Sequence, residues 1–200
     1  MKPMKFTNLF FFISLFFVSC HDSATKKTEM FSGYKFITNF SKKIKPTSSL
    51  VLWCYGINLD LPKGYELKNE VATLSADYAL YKTQKDTISL EQARKMIVSL
   101  VESILKDINS NSEIKDKLET NPFTYHSIDT SIYFQDENKI ELGSGVSRVY
   151  FSKGKLTYEG YNIYEYTGQY PAHGKHFTIH KETYEEALNI VQESGEVTLF

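Results

Sequence analysis

Between Leu90 and Ile108, apolar residues return at intervals of three and one: Leu90, Ala93, Met96, Ile97, Leu100, Val101, Ile104, Leu105 and Ile108. On a helix of 3.6 residues per turn these positions form one stripe, sustained for roughly five turns. A stripe of that length has to be covered by another layer, so it commits the chain to a packed core. Ser89 stands at the N-cap position and Gln92 three residues later, the pattern of a capping box. Asn109-Ser110-Asn111-Ser112 stops the helix. The stripe reads as core and not as a cofactor box.

The flanking segments supply what covers it. Phe36, Ile37, Phe40 and Ile44 give a helix over 32–44, ended by Pro46 and the following Thr-Ser-Ser. Leu50 to Tyr55 reads as a buried strand, and Gly56 to Glu70, with Pro62 and Gly64, as a loop. Leu74, Ala76, Tyr78 and Leu80 alternate with Thr73, Ser75, Asp77 and Ala79, the pattern of a half-buried strand. After one helical turn near 113–118 and the break at Asn121-Pro122, Ile128, Thr130, Ile132 and Phe134 predict another strand. Val146 to Ser152 and Lys155 to Tyr158 flank Lys153-Gly154, a hairpin turn, and Tyr161 to Tyr166 can continue the second arm. Lys175 to His180 predicts a last strand. Thr183-Tyr184-Glu185-Glu186 is a second capping box, opening a helix that ends near Gly195. The order α-β-β-α-β-β-β-β-α, with short spacings between strands, predicts an α+β fold: a mostly antiparallel sheet with two or three helices on one face. Residues 31–200 form one domain by this reading, with no internal repeat.

The amino end is built differently. Lys2 and Lys5 precede Phe6 to Val18, a run rich in Phe, Leu and Ile. Crossing a bilayer takes about 20 apolar residues as a helix, so this run is too short to span and has the layout of an export leader. Phe17-Val18-Ser19-Cys20 resembles the lipobox of bacterial lipoprotein signal peptides, with Phe17 where the usual motif has Leu. The resemblance implies removal of residues 1–19, acylation of Cys20 with chains such as palmitate, and a membrane as partner through that lipid. Two acyl chains hold a protein stably where one would not, at roughly 0.8 kcal/mol per buried CH₂. Residues 20–30 then form the lipidated cysteine and a polar tether. His21 stands where aspartate would retain such a protein at the inner membrane, so the resemblance implies an envelope location at the outer membrane rather than the inner one.

Composition narrows the classes left. The chain carries 23 Lys and Arg against 24 Asp and Glu, and losing Lys2 and Lys5 with the leader makes it more acidic. No basic stripe is present, which argues against nucleic acid as a partner. With Cys20 lipidated, Cys54 has no intramolecular cysteine to pair with, and in its apolar run it reads as a core residue. Gly143-Ser144-Gly145 fits neither a nucleophile elbow nor a phosphate loop and reads as a connection into the next strand. No cofactor motif is present, so none is expected. Arg94 and Arg148 are the only arginines, and Arg94 borders the apolar stripe, where it can snorkel to solvent or pair with a carboxylate.

Three segments together, Ser89-Leu90-Glu91-Gln92-Ala93-Arg94, Asn121-Pro122-Phe123-Thr124 and Glu182-Thr183-Tyr184-Glu185-Glu186-Ala187-Leu188, resemble a group of small bacterial secreted or lipoprotein-like sequences from intracellular bacteria. That resemblance implies a shared fold and carries no activity.

Two constellations stand out as candidate sites. His173, His176 and His180 cluster with Glu182. On a regular strand His176 and His180 share a face, yet lie about 13 Å apart along it, too far for one zinc with ligands at about 2 Å. A metal site would need His173 or Glu182 to fold back. Tyr150, Tyr158, Tyr161, Tyr164, Tyr166 and Tyr170 crowd one stretch, and Tyr158, Tyr161, Tyr164 and Tyr166 among them offer an interaction surface, although strand propensity alone would also place tyrosines there. The expectation is a lipid-anchored envelope protein acting as a non-catalytic binding or structural module, with an envelope or host protein as partner. The competing expectation is a metal-binding domain or enzyme built around His173, His176 and His180.

Overall fold

The structure, a computed structural model, describes residues 32–59, 71–115, 118, 120–163 and 174–195. The leader, Cys20 and the tether lie outside these residues. Helix α1 (Ser32–Ser48) leads into strands β1 (Val51–Leu59) and β2 (Val71–Tyr81). Helix α2 (Leu90–Ser110) and the single turn α3 (Ser112–Lys115) follow. Strands β3 (Ile128–Gln135), β4 (Arg148–Ser152), β5 (Lys155–Ile163) and β6 (Gly174–Thr183) come next, and helix α4 (Tyr184–Glu193) is last. The strands form a six-stranded sheet ordered β1-β2-β3-β4-β5-β6. All pairings are antiparallel except β2 with β3, which is parallel because α2 carries the chain back across the sheet. This is the α+β architecture read from the sequence.

Both capping boxes form as the sequence predicts. The Ser89 hydroxyl accepts from the Gln92 amide while the Gln92 side chain takes the Ser89 N–H, and Thr183 and Glu186 repeat the exchange. The Lys153-Gly154 hairpin also forms. Its φ angles of 50° and 73° are the pair of positive values a two-residue turn of the right twist requires. The 143–145 connection packs onto the start of α2. Gly145 has φ 72°, and a β-carbon there would stand 2.4 Å from the Ile88 carbonyl oxygen, so only glycine fits.

The helices all cover the same face. Ile37, Ile44, Ile97, Leu100 and Ile104 meet Leu74, Tyr78, Ile132, Phe134, Val149 and Phe151 in one core. Tyr78 reaches through it to Ser41 on α1, with their hydroxyls 3.0 Å apart. The opposite face of the sheet carries no helix among the described residues.

Four local readings are corrected. Helix α1 passes Pro46 and ends at Ser48, because the hydroxyls of Thr47 and Ser48 bond back to the Ile44 carbonyl at 3.0 and 2.8 Å and close the last turn. Helix α2, by contrast, stops within the 109–112 segment as read, at Ser110 with Asn111 as its cap, and the Asn109 amide clamps the backbone of Phe123, accepting at 2.7 Å and donating at 2.9 Å. Strand β1 continues through Gly56 to Leu59, where a loop was expected. It is also an edge strand and not a buried one: Trp53 is 45% exposed and Val51, Leu52 and Tyr55 are half-buried.

The last correction moves Cys54. The β1–β2 register slips between Leu52 and Cys54, with Trp53 as the extra residue. A one-residue slip sends every later side chain to the other face. Tyr55 therefore takes the core-side place, opposite Ala76, and Cys54 lands opposite Asp77 on the uncovered face, half-buried.

Candidate functional site

The uncovered face is built from the alternate residues of the same strands that fill the core. In β2 these are Ser75 and Asp77, in β3 Asp129, Ser131 and Tyr133, and in β4 Arg148 and Tyr150. Register places them in rows. Asp77 lies beside Ser131, and Tyr133 beside Arg148, which faces Glu159 on β5.

Arg148 is the centre of this group. Its guanidinium lies 5.7 Å from the ring centroids of both Tyr133 and Tyr150, within cation–π range. Nε donates to Glu159 Oε2 at 3.1 Å, and Nη2 donates to the same oxygen. Burial works against its charge, but the bond and charge of Glu159 outweigh that and push its pKa up. At the rim, Trp53 meets the Tyr133 ring edge to face, with centroids 4.6 Å apart. Ala79, paired with both Val51 and Tyr133, is buried at this end of the face. A shallow concavity of about 320 Å³ opens between β2, β3 and β4, floored by Asp77, Ser131, Tyr133, Arg148 and Tyr150.

Asp77 is a cost to the fold. Burial raises its pKa and the Asp129 charge adds to that, against the Ser131 hydrogen bond and the Arg148 charge. The native state therefore holds this proton more tightly than the unfolded chain does. Stability attributable to Asp77 falls as pH rises from the unfolded value of about 3.9 through the higher native one, and stays low above it. Asp77→Asn keeps the acceptor for Ser131 and removes the charge. It is expected to raise Tm by roughly 2–4 °C at pH 7 and to leave it unchanged near pH 3. Thermal melts at the two pH values check this, and an equal shift at both would refute the assignment to ionisation.

The histidine cluster does not assemble as the sequence suggested. The β5–β6 register slips at Ile179, so Tyr158 pairs with His180 while Glu159 pairs with Thr178. His176 therefore shares the uncovered face with Tyr161, ring centroids 5.0 Å apart, and His180 shares the helix-covered face with Tyr158 at 5.9 Å. The shared face expected for His176 and His180 is overturned by this bulge. His176 Nε2 lies 2.8 Å from Glu141, and His180 Nε2 3.4 Å from Glu182. Glu182 itself is bonded to Arg94 Nε at 2.8 Å and to the Tyr158 hydroxyl at 2.5 Å. Among the described residues no three His, Cys, Asp or Glu side chains converge as a metal-ion set. His173 lies outside them.

Of the tyrosines offered as an interaction surface, Tyr158 is wholly buried beside Leu156 and belongs to the core. Tyr161 is on the uncovered face, half-buried. Tyr164 and Tyr166 lie outside the described residues. Of the groups that do gather, Tyr150 belonged to the tyrosine-rich stretch singled out in the sequence, while Trp53, Asp77, Tyr133, Arg148 and Glu159 were absent from the sequence-level candidates. Their signal was the polar half of the alternation in β2 and β3, together with the second of only two arginines.

The chain matches no family model, no curated protein and no solved structure.

Proposed function

We propose that this chain is a lipid-anchored cell-envelope protein, held through Cys20 at the outer membrane, and that it works as a non-catalytic binding module whose uncovered sheet face is the contact surface. The observation carrying this reading is the one-sidedness of the sheet. Helices bury one face, while the other presents an exposed tryptophan, two half-buried tyrosines and an arginine locked by a carboxylate. Tryptophan, tyrosine and arginine are the residues that dominate binding energetics. Here they are held in place by one another before any partner arrives, which lowers the ordering cost of association. The leader and the Cys20 motif support the anchor, and among the described residues no helix is long and apolar enough to cross a membrane.

A photo-reactive residue at Tyr150 in the full-length protein, in cells fed labelled palmitate, tests both parts. Palmitate label on the protein, lost in Cys20→Ser, is expected, together with a reproducible adduct from position 150 that is missing from position 106 on the exposed side of α2. Absence of label sinks the anchor. Equal adducts from both positions sink the assignment of the face.

A further inference from the structure

We infer that the concavity on the uncovered face takes a neutral oligosaccharide, an inference that rests on reading this face as the binding surface. The charges decide the class. An anion would need an uncompensated cation, and the Arg148 guanidinium is already bonded through two nitrogens to Glu159, with Asp77 and Glu141 also near enough to act on it or be acted on by it. A cationic ligand would need an uncompensated carboxylate, and Arg148 already answers the charge of Asp77, which leaves Asp129 alone among the lining carboxylates to pair with it. An apolar ligand would bury Asp77 and Ser131 against groups offering them nothing, at a cost of about 1–3 kcal/mol per polar group.

A neutral, hydroxyl-rich ring meets none of these obstacles. Asp77 and Asp129 are acceptors, and the hydroxyls of Ser131, Tyr133 and Tyr150 both donate and accept. Arg148 keeps Nη1 beyond the two nitrogens committed to Glu159. The rings of Tyr133, Tyr150 and Trp53 offer apolar surface to the C–H side of a pyranose. The polar groups are fixed in advance: Ser131 holds Asp77, and Glu159 with the two tyrosines holds Arg148. A volume of about 320 Å³ lies at the small end of ligand sites, and its open side lets a chain of sugars run past the units that bind.

Trp53 is the only tryptophan in the protein, so its fluorescence has one source, at the rim of the site. Full-length protein purified in detergent is titrated with chito-, cello- and malto-oligosaccharides of two to six units. The expected result is a saturable shift of Trp53 emission with one series, with a Kd between roughly 1 μM and 1 mM. Binding is expected to weaken at least tenfold in Tyr150→Ala and in Asp77→Asn, both with melting temperatures at or near the parent's or above it. The inference is overturned by the lack of a saturable shift up to about 10 mM with every series, or by binding that neither substitution weakens. It is also overturned if a polylysine or a polyanionic sugar sulfate binds more tightly than all three neutral series. If saccharides fail while position 150 still cross-links a protein in cells, the ligand class falls and the binding face stands.

Discussion

Arg94→Met lowers the free energy of unfolding by about 3–5 kcal/mol, because it leaves the Glu182 carboxylate buried without its cation. The pair lies between α2 and β6 with side chains only 11% and 5% exposed. The bond to Glu182 raises the pKa of Arg94 against the opposing effect of burial. The Tyr158 hydroxyl donates to the same carboxylate oxygen, so one substitution unsettles a helix and two strands. In urea the midpoint should fall with the slope unchanged. Replacing the three together, Arg94→Met with Glu182→Leu and Tyr158→Phe, should recover most of the loss, since only the His180 imidazole, 40% exposed and open to water, then loses its carboxylate. A single Arg94→Met variant within about 1 kcal/mol of the parent would show that the carboxylate finds another partner.

Tyr184→Ala is the second large loss, about 3–5 kcal/mol. Tyr184 opens α4, is 2% exposed, and packs between Tyr125 and Phe151 with ring centroids 4.9 and 5.3 Å away. Its hydroxyl donates to Glu102 on α2 at 2.6 Å, and burial raises its pKa first, with that bond adding. Tyr184→Phe keeps the rings and loses the bond, so a smaller cost of about 1–3 kcal/mol is expected. The two urea midpoints separate packing from hydrogen bonding at one position. If the phenylalanine variant falls as far as the alanine one, the hydroxyl and not the ring stack joins α4 to α2.

Most of the architecture was legible because it rests on local rules. The α2 stripe, both capping boxes, the Lys153-Gly154 turn and the alternation in β2 and β3 each depend on neighbours within a few residues. What was not legible is set by single-residue slips in pairing. Nothing in Leu52-Trp53-Cys54 announces that Trp53 will be skipped by β2, and nothing around Ile179 announces the same for β5. Each slip inverts a face. One moved Cys54 out of the core, and the other separated His176 from His180. The uncovered-face site was hidden for a further reason: Asp77, Tyr133 and Arg148 come from three strands, brought together only by the parallel β2–β3 pairing and the β3–β4 register. Arg94 was recognisable as a residue that would either snorkel or pair with a carboxylate, but the choice, and the identity of the carboxylate 88 positions away, required the fold.

Strand order along the sheet is also the order of the strands in the chain. A polypeptide delivered amino end first can therefore lay down its sheet in the sequence of its arrival, each new strand docking on the one before. Only β3 must wait, until α2 has returned the chain across the layer; every other addition closes a shorter loop and loses correspondingly less entropy. Growth proceeds from one side alone, and among the described residues β6 is the last strand laid down. The slip at Ile179 distorts that outermost ladder, and a distorted edge is a poor template for a strand from another molecule. The same irregularity that parts the two histidines thus also makes the outer side of β6 a poor place for a foreign strand to add.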